Sequence, residues 1–326
     1  MRGWQAAKHG GPEALALVGL ERPGAAPGEV VVEIEAAALN FSDVLMVRGT
    51  YQVAPPVPFV PGQEIAGVVA ETASESAFKV GERVATKVLW GGFAEYALAR
   101  EDMLIRLPGT IALTDGATLP VVWPTAWIAL HECARLRQGE TVLVHAAAGG
   151  VGLAAVQLAR LAGARAIALV GDPEKAAPCR EAGAETVLRY ADAGWPEQVK
   201  DLTAGRGADV VLDSVGGEAT DASLRCLARH GRLLVVGFSS GKIPELRANR
   251  LLLRAASAHG VYWSHDHDRP LVERAVGELL RRAVRGEIRL AAHRVYPFEE
   301  LPRALAELAA RKTVGKSVVR IGTKTG

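Results

Sequence analysis

Glu140 to Ala164 reads ETVLVHAAAGGVGLAAVQLARLAGA, and its composition changes twice along the way. Thr141 to His145 is short, apolar and rich in valine, as a central parallel strand is. Ala147-Ala148-Gly149-Gly150-Val151-Gly152 then makes a turn, and apolar side chains recur at helical spacing through Leu161. Glycine at 149 allows backbone to approach a phosphate, and Gly152 allows helix to pack close to strand. The start of such a helix offers unpaired N–H groups and the positive end of its dipole, so Ala148, Gly149, Gly150, Val151 and Gly152 form a candidate seat for a pyrophosphate.

A glycine turn in an unrelated α/β protein is the competing reading, since a bare G-x-G-x-x-G match is unspecific and Ala147 replaces its first glycine here. Context favours the dinucleotide reading. Further strand-like runs follow at Ala166 to Val170, Val210 to Val215 and Leu233 to Phe238. From 121 to 261 strand and helix alternate, which predicts a doubly wound parallel sheet covered on both faces.

The 326 residues suffice for two domains with a core in each. With 49% hydrophobic and 23% charged residues and a net charge of +2, the chain has no basic block, so no nucleic acid is expected as a partner. Arg281, Arg282, Arg285 and Arg289 fall at helical spacing and read as a solvated face. No apolar run reaches membrane-spanning length and MRGWQAAKHGG lacks the apolar region of a signal peptide, so a cytoplasmic protein is expected. Cys133, Cys179 and Cys226 are widely spaced and form no C-x-x-C, which argues for unreactive thiols over a disulfide or zinc framework.

Residues 1–120 are punctuated by Gly and Pro, with β-like runs at Val30 to Ala36, Ile65 to Glu71, Arg83 to Val88 and Phe93 to Leu98. That pattern predicts short antiparallel strands in a barrel-like domain. Residues 262–326 read as a helix from Pro270 to Gly286, a strand at Leu290 to Val295, a helix at Phe298 to Arg311 and a strand at Lys316 to Ile321, returning to the first domain. A cofactor domain inserted into a discontinuous domain predicts a ligand cleft between the two. His265-Asp266-His267-Asp268 reads as an exposed loop with Asp268 near a helix start, in preference to a metal site.

Several segments together resemble the medium-chain dehydrogenase/reductase superfamily, most closely its zinc-free NADPH:quinone oxidoreductase, zeta-crystallin-like branch. They are Asn40-Phe41-Ser42-Asp43 with Arg48-Gly49-Thr50-Tyr51, Pro61 to Val69, Gly91 to Tyr96, Pro124-Thr125-Ala126-Trp127, the glycine turn, Asp213 to Gly217, Val235 to Phe238 and Gly315-Lys316. The resemblance runs nearly end to end and implies a Rossmann domain inserted in a GroES-like, mainly β catalytic domain. Zinc-dependent members carry Cys where Asn40 stands, His where Gln63 stands and a Cys near Val121. Catalytic zinc needs about three protein ligands, and of these positions and their neighbours only Glu64 is left as a donor, so no metal is expected.

The same resemblance indicates the cofactor. Gly171 lies 19 positions after Gly152, where NAD-preferring folds place an acid on the ribose, and a glycine there leaves room for a 2′-phosphate. Lys175 and Tyr190 match positions that contact that phosphate; Asp172 is the contrary sign, favouring NADH if its carboxylate turns into the ribose site. Thr125, Ser214, Gly237 and Phe238 match positions near the nicotinamide and its ribose, and Lys316 is assigned to the cofactor on the same basis. NADPH is therefore expected.

Hydride transfer needs neither nucleophile nor metal when the acceptor is already electrophilic, so a quinone or an alkene conjugated to a carbonyl fits best. Asn40 can hydrogen-bond cofactor or substrate through its amide, and Tyr51 can donate a proton to developing charge. A tyrosine matched by Tyr51 is the proposed proton donor of zinc-free enoyl-thioester reductases; packing in a cleft wall is its alternative role. Asp43 and Arg48 read as an ion pair or cap, His145 as a packed, hydrogen-bonded residue, and Leu45 as an apolar part of the acceptor pocket. Ala256 to Tyr262 reads as a sheet edge able to pair with a second copy, which predicts a homodimer. A cofactor-binding protein without turnover, structural or RNA-binding, is the reading from another class.

Overall fold

In the computed structural model, which describes residues 1–53 and 55–322, the Gly/Pro-punctuated N-terminal part folds as short strands. They are β1 (Arg2–Ala6), β2 (Leu15–Gly19), β3 (Glu29–Ala38), β4 (Glu64–Thr72), β5 (Arg83–Lys87), β6 (Tyr96–Arg100) and β7 (Ile105–Arg106). β1 and β2 pair with each other; β3, β4, β5 and β7 follow in antiparallel order, with β6 also on β3. Two bulges bend β3 against β4, and beside one of them a Cβ added to Gly67 would lie 1.9 Å from the Glu33 carbonyl, so only glycine fits. Val30, Val32, Ile34, Ile65, Val69 and Phe93 are buried together inside this sheet. The helix Phe41–Arg48 leaves β3 with Asn40 as its N-cap and Gly49 in the left-handed region at its end.

The alternating segment gives β8 (Thr141–His145), β9 (Arg165–Val170), β10 (Thr186–Arg189), β11 (Ala208–Asp213), β12 (Leu227–Val235) and β13 (Ser257–Gly260). All pair in parallel, in the order β10-β9-β8-β11-β12-β13. Counted from β8 this is 3-2-1-4-5-6, the doubly wound order of a dinucleotide-binding sheet. Every residue of β8 is buried, as expected where helices cover both faces. β13 is the edge, bonded on one side to β12.

After β13 the chain forms a helix, His265–Val284, kinked at Asp268, then β14 (Ala292–Pro297), the helix Leu301–Ala309 and β15 (Lys316–Arg320). β15 joins the first sheet antiparallel to β3, with Val318 opposite Ala38, and β14 lies parallel on β15. A Rossmann-type parallel sheet and a GroES-like β unit are thus both present. The compact units are Met1–Val121 with Leu280–Gly326, and Val122–Leu279. The second crossing falls later than the expected 261, inside the last-named long helix. The chain through Leu279 belongs with the parallel-sheet unit: Trp263 Nε1 donates to Thr125 Oγ1 at 2.9 Å, and Arg274 pairs with Glu132 while lying over the Trp127 ring.

The expected loop at 265–268 is also helical, with His265 buried; Asp268 Oδ2 accepts from the Ser264 amide at 2.9 Å and caps the kinked turn. Among the described residues no helix is long and apolar enough to cross a membrane.

Candidate active site

In the parallel-sheet unit the glycine turn begins at Ala146, which takes φ +44° directly after β8. Its amide donates to the Tyr190 hydroxyl at 2.9 Å, so a residue from beyond β10 braces the turn. The first bond of the following helix runs from Leu153 N to Gly149 O at 2.9 Å, leaving the amides of Gly150, Val151 and Gly152 ahead of the ladder. No acidic side chain sits in that first turn to compete with an anion. A Cβ on Gly152 would meet the Ala146 carbonyl oxygen at 2.5 Å and Ala147 Cα at 2.6 Å, so helix and turn touch as expected. Ala147, in place of the first glycine, is fully buried.

At the end of β9, Gly171 is exposed and a side chain there would meet nothing within 4 Å. Asp172 turns its carboxylate onto its own backbone: Oδ1 accepts from Glu174 N at 3.1 Å and caps the short turn Pro173–Lys175. Lys175 is half-buried at the close of that turn.

Beyond β11, Asp213 Oδ1 accepts from the amides of Val215 and Gly216 at 2.8 and 3.0 Å, and Oδ2 accepts from the Thr220 hydroxyl. Burial alone would raise the Asp213 carboxyl, but His145, Thr220 and the Gly216 amide together hold it well below the usual carboxylate range. Ser239 N donates to Ser214 O at 3.1 Å and Ser240 N to Val215 O at 2.9 Å, which sets Gly237 and Phe238 beside Ser214. Thr125 is held by Trp263. Trp123 and Trp263 are buried, whereas Tyr262 is 81% exposed and so belongs to the surface.

One arrangement in this unit is not legible along the chain. Ser223 Oγ lies 2.8 Å from His145 Nε2, and His145 Nδ1 lies 3.1 Å from Asp213 Oδ1. The three residues come from separate elements, and no spacing along the chain signals them. All are buried, so the row has no access to substrate. Two of the thiols are equally remote from chemistry: burial pushes Cys179 up to about 11 and Cys226 up to about 12.

The first unit gathers its polar side chains around Glu64, which is fully buried at the start of β4. Oε2 accepts from Lys316 Nζ at 2.6 Å and from Asn40 Nδ2 at 3.1 Å, while Oε1 accepts from the Val121 amide at 2.8 Å. Lys316 also donates to Asn40 Oδ1 and to the Leu39 carbonyl, both at 2.8 Å. Its three N–H donors thus have three acceptors within the chain, and they fix which way the Asn40 amide faces. Asn40 N donates to Asp43 Oδ2 at 2.7 Å, which makes Asp43 a cap; Arg48 is exposed at the other end of the helix. Burial pushes the Asp43 carboxyl up to about 7 despite the Asn40 amide and the nearby Lys316 charge. Lys87, opposite Glu64 across β4 and β5, is pushed below its usual range by burial.

Asn40 and Gln63, and Val121 near the third position that the resemblance pointed to for a zinc ligand, supply no thiolate or imidazole. Gln63 accepts from the Ser42 hydroxyl, and both oxygens of Glu64 are already engaged. Among the described residues no group of three or more His, Cys, Asp or Glu is placed to hold a metal. Tyr51 is half-buried and packs on the core of the first unit. It lies beyond the C-terminus of the helix whose N-cap is Asn40, so the two are separated along that element by about 12 Å of helix.

Residues 150–278 match the family described as zinc-binding dehydrogenase, and 26–109 match the alcohol dehydrogenase GroES-like domain. Over 320 residues the chain is 36% identical to the quinone oxidoreductase of Pseudomonas aeruginosa, covering 97% of this chain and 98% of that one. The solved quinone oxidoreductase of Thermus thermophilus, also determined in complex with NADPH, matches with a TM-score of 0.86 at 40% identity, over 98% of this chain and 100% of that one. CurK enoyl reductase matches with a TM-score of 0.88 at 28% identity, over 98% and 99%. By these motifs, this sheet order and these relatives, the chain is an oxidoreductase belonging to the quinone oxidoreductase branch of the medium-chain dehydrogenase/reductase superfamily.

Proposed function

We propose that this protein is an NADPH-dependent reductase that passes a hydride to a quinone without zinc. The observation that carries the reading is the saturation of Glu64: this carboxylate, the donor left beside Asn40 and Gln63, is bonded to Lys316, Asn40 and the Val121 amide. A metal would have to displace a buried ammonium from it. Quinones and activated alkenes need no Lewis acid, whereas an alcohol substrate would need a group to take its proton.

Bound NADPH supplies the hydride. The amides of Gly150, Val151 and Gly152, with Ala148 and Gly149 shaping the turn, hold its pyrophosphate. Lys175 and Tyr190 hold the 2′-phosphate over the open Gly171, and the engagement of Asp172 in its own cap supports NADPH over NADH. Thr125, Ser214, Gly237 and Phe238 receive the nicotinamide end. Asn40 presents an amide already oriented by Lys316 and Glu64, so we assign Lys316 to positioning Asn40 and not to the cofactor itself. Tyr51 is the proton donor where the acceptor is an activated alkene, whereas a reduced quinone can take its proton from water.

A second reading, reduction of α,β-unsaturated carbonyls or enoyl thioesters, is favoured by the match to CurK enoyl reductase and by Tyr51 as a proton source. A protein that binds NADPH without turnover is the remaining alternative. NADPH oxidation followed against quinones, enones and enoyl thioesters separates the three: quinone turnover in excess of the others is expected, and binding without oxidation of any of them would reject the reductase.

We also propose a homodimer formed along β13. Support comes from its open edge and from Leu252, Leu253 and Tyr262, which are 79%, 78% and 81% exposed close by in sequence. A solution mass of one chain at micromolar concentration would contradict it.

A further inference from the structure

β8 is the strand from which the parallel sheet runs out to β9 and β10 on one side and to β11, β12 and β13 on the other. In a sheet of this order each half seats one mononucleotide of a dinucleotide, and the crevice lies where the order reverses. His145 closes β8 and Asp213 closes β11, so the pair stands at that reversal; they are 0% and 1% exposed. At 3.1 Å their contact lies outside hydrogen-bond geometry and is electrostatic; a carboxylate only accepts, so it favours the tautomer with the proton on Nδ1. Nε2 then faces the Ser223 hydroxyl at 2.8 Å.

Each end of this contact governs one half of the seat. On one side, His145 immediately precedes the glycine turn, and its ring stands edge-on to Tyr190, the residue that bonds the Ala146 amide. On the other, the Asp213 carboxylate gathers the Val215 and Gly216 amides and the Thr220 hydroxyl, and so shapes the loop entering the helix Glu218–Cys226. In the open, a Ser–His–Asp row would read as a nucleophile and its base. Sealed from solvent and substrate, it can only hold structure.

We propose that His145 is a positioning residue for the cofactor: through Asp213 it locks the glycine turn to the loop Ser214–Gly217, keeping the seats for the two halves of NADPH in register. This rests on the NADPH reading above. Two weak half-sites joined by one ligand gain affinity only while their spacing suits the linker, so loosening the lock weakens the whole cofactor and spares its fragments.

The test is calorimetric binding of NADPH, of 2′,5′-ADP and of reduced nicotinamide mononucleotide. His145→Gln keeps a polar atom near the place of Nε2 and loses the one beside Asp213; His145→Asn does the reverse. The Gln variant is expected to bind NADPH about tenfold more weakly with each fragment within about twofold of wild type, and the Asn variant to bind NADPH within about threefold. Unchanged NADPH binding by the Gln variant, or equal weakening of 2′,5′-ADP, overturns the proposal, whereas a wild-type protein that binds no NADPH overturns the cofactor reading instead. Hydrogen exchange on the wild type covers a variant that fails to fold. There, 2′,5′-ADP alone should slow exchange at the Val215 and Gly216 amides, and an unchanged rate overturns the lock.

Discussion

The ammonium of Lys316 lies 2.6 Å from Oε2 of Glu64, with 6% and 0% of the two side chains exposed. Removing one partner of such a pair strands the other charge in the interior. Lys316→Met is therefore expected to cost about 3–5 kcal/mol of stability, and Glu64→Gln combined with it less than the single change. Urea unfolding of the double variant and of both single variants measures this; a double loss equal to the sum of the single losses would mean that the pair is not coupled. In the same proteins kcat should fall, because Asn40 loses the donor that orients its amide.

Lys175 closes the turn capped by Asp172, next to the open Gly171. Lys175→Ala should raise KM for NADPH about tenfold, a loss of roughly 1.4 kcal/mol, with little change for NADH. Steady-state kinetics with both cofactors decides it, and an unaltered preference would remove Lys175 from the phosphate site.

Tyr51 carries the distinction between acceptors. Reduction of an alkene requires a proton on carbon, whereas a dihydroquinone can draw its protons from water. Tyr51→Phe should thus lower enone or enoyl-thioester turnover about a hundredfold, within the usual range for a general acid, and quinone turnover far less. Two undiminished activities would leave Tyr51 as a packing residue on the core it already touches.

The glycine turn was legible in sequence because its requirements are local: a buried strand, a close approach at Gly152 and amides free of acidic neighbours. The strand alternation likewise announced the parallel sheet and its insertion. The networks were not legible. Lys316 reaches Asn40 across 276 positions and His145 reaches Ser223 across 78, and no spacing rule encodes contacts created by β15 lying on β3 or by β8 lying beside β11. For the same reason nothing in the sequence signals that the parallel-sheet unit continues past 261 to Leu279: Trp263 bonding to Thr125 is a tertiary fact.

Asp43 gives the fold a pH dependence of known sign. Its carboxyl is raised to about 7, so between the ordinary carboxylate range and that value the folded chain holds a proton that the unfolded chain has lost. The contribution is present in full in acid and disappears as pH rises through about 7, a change of at most about 4 kcal/mol. Asp43→Asn should lack this decline. Melting temperatures of both proteins from pH 4 to 8 test it, and parallel curves would show that Asp43 ionises freely in the fold.

Hydride delivery from NADPH to a quinone, by a site whose carboxylate is already occupied by its own lysine, is measured as NADPH oxidation by a quinone, using protein dialysed against a chelator and assayed for metal content. Stoichiometric oxidation at an undiminished rate in metal-free protein, faster with NADPH than with NADH, is the predicted result. Activity that disappears on chelation and returns with zinc would show instead that the site works through a metal.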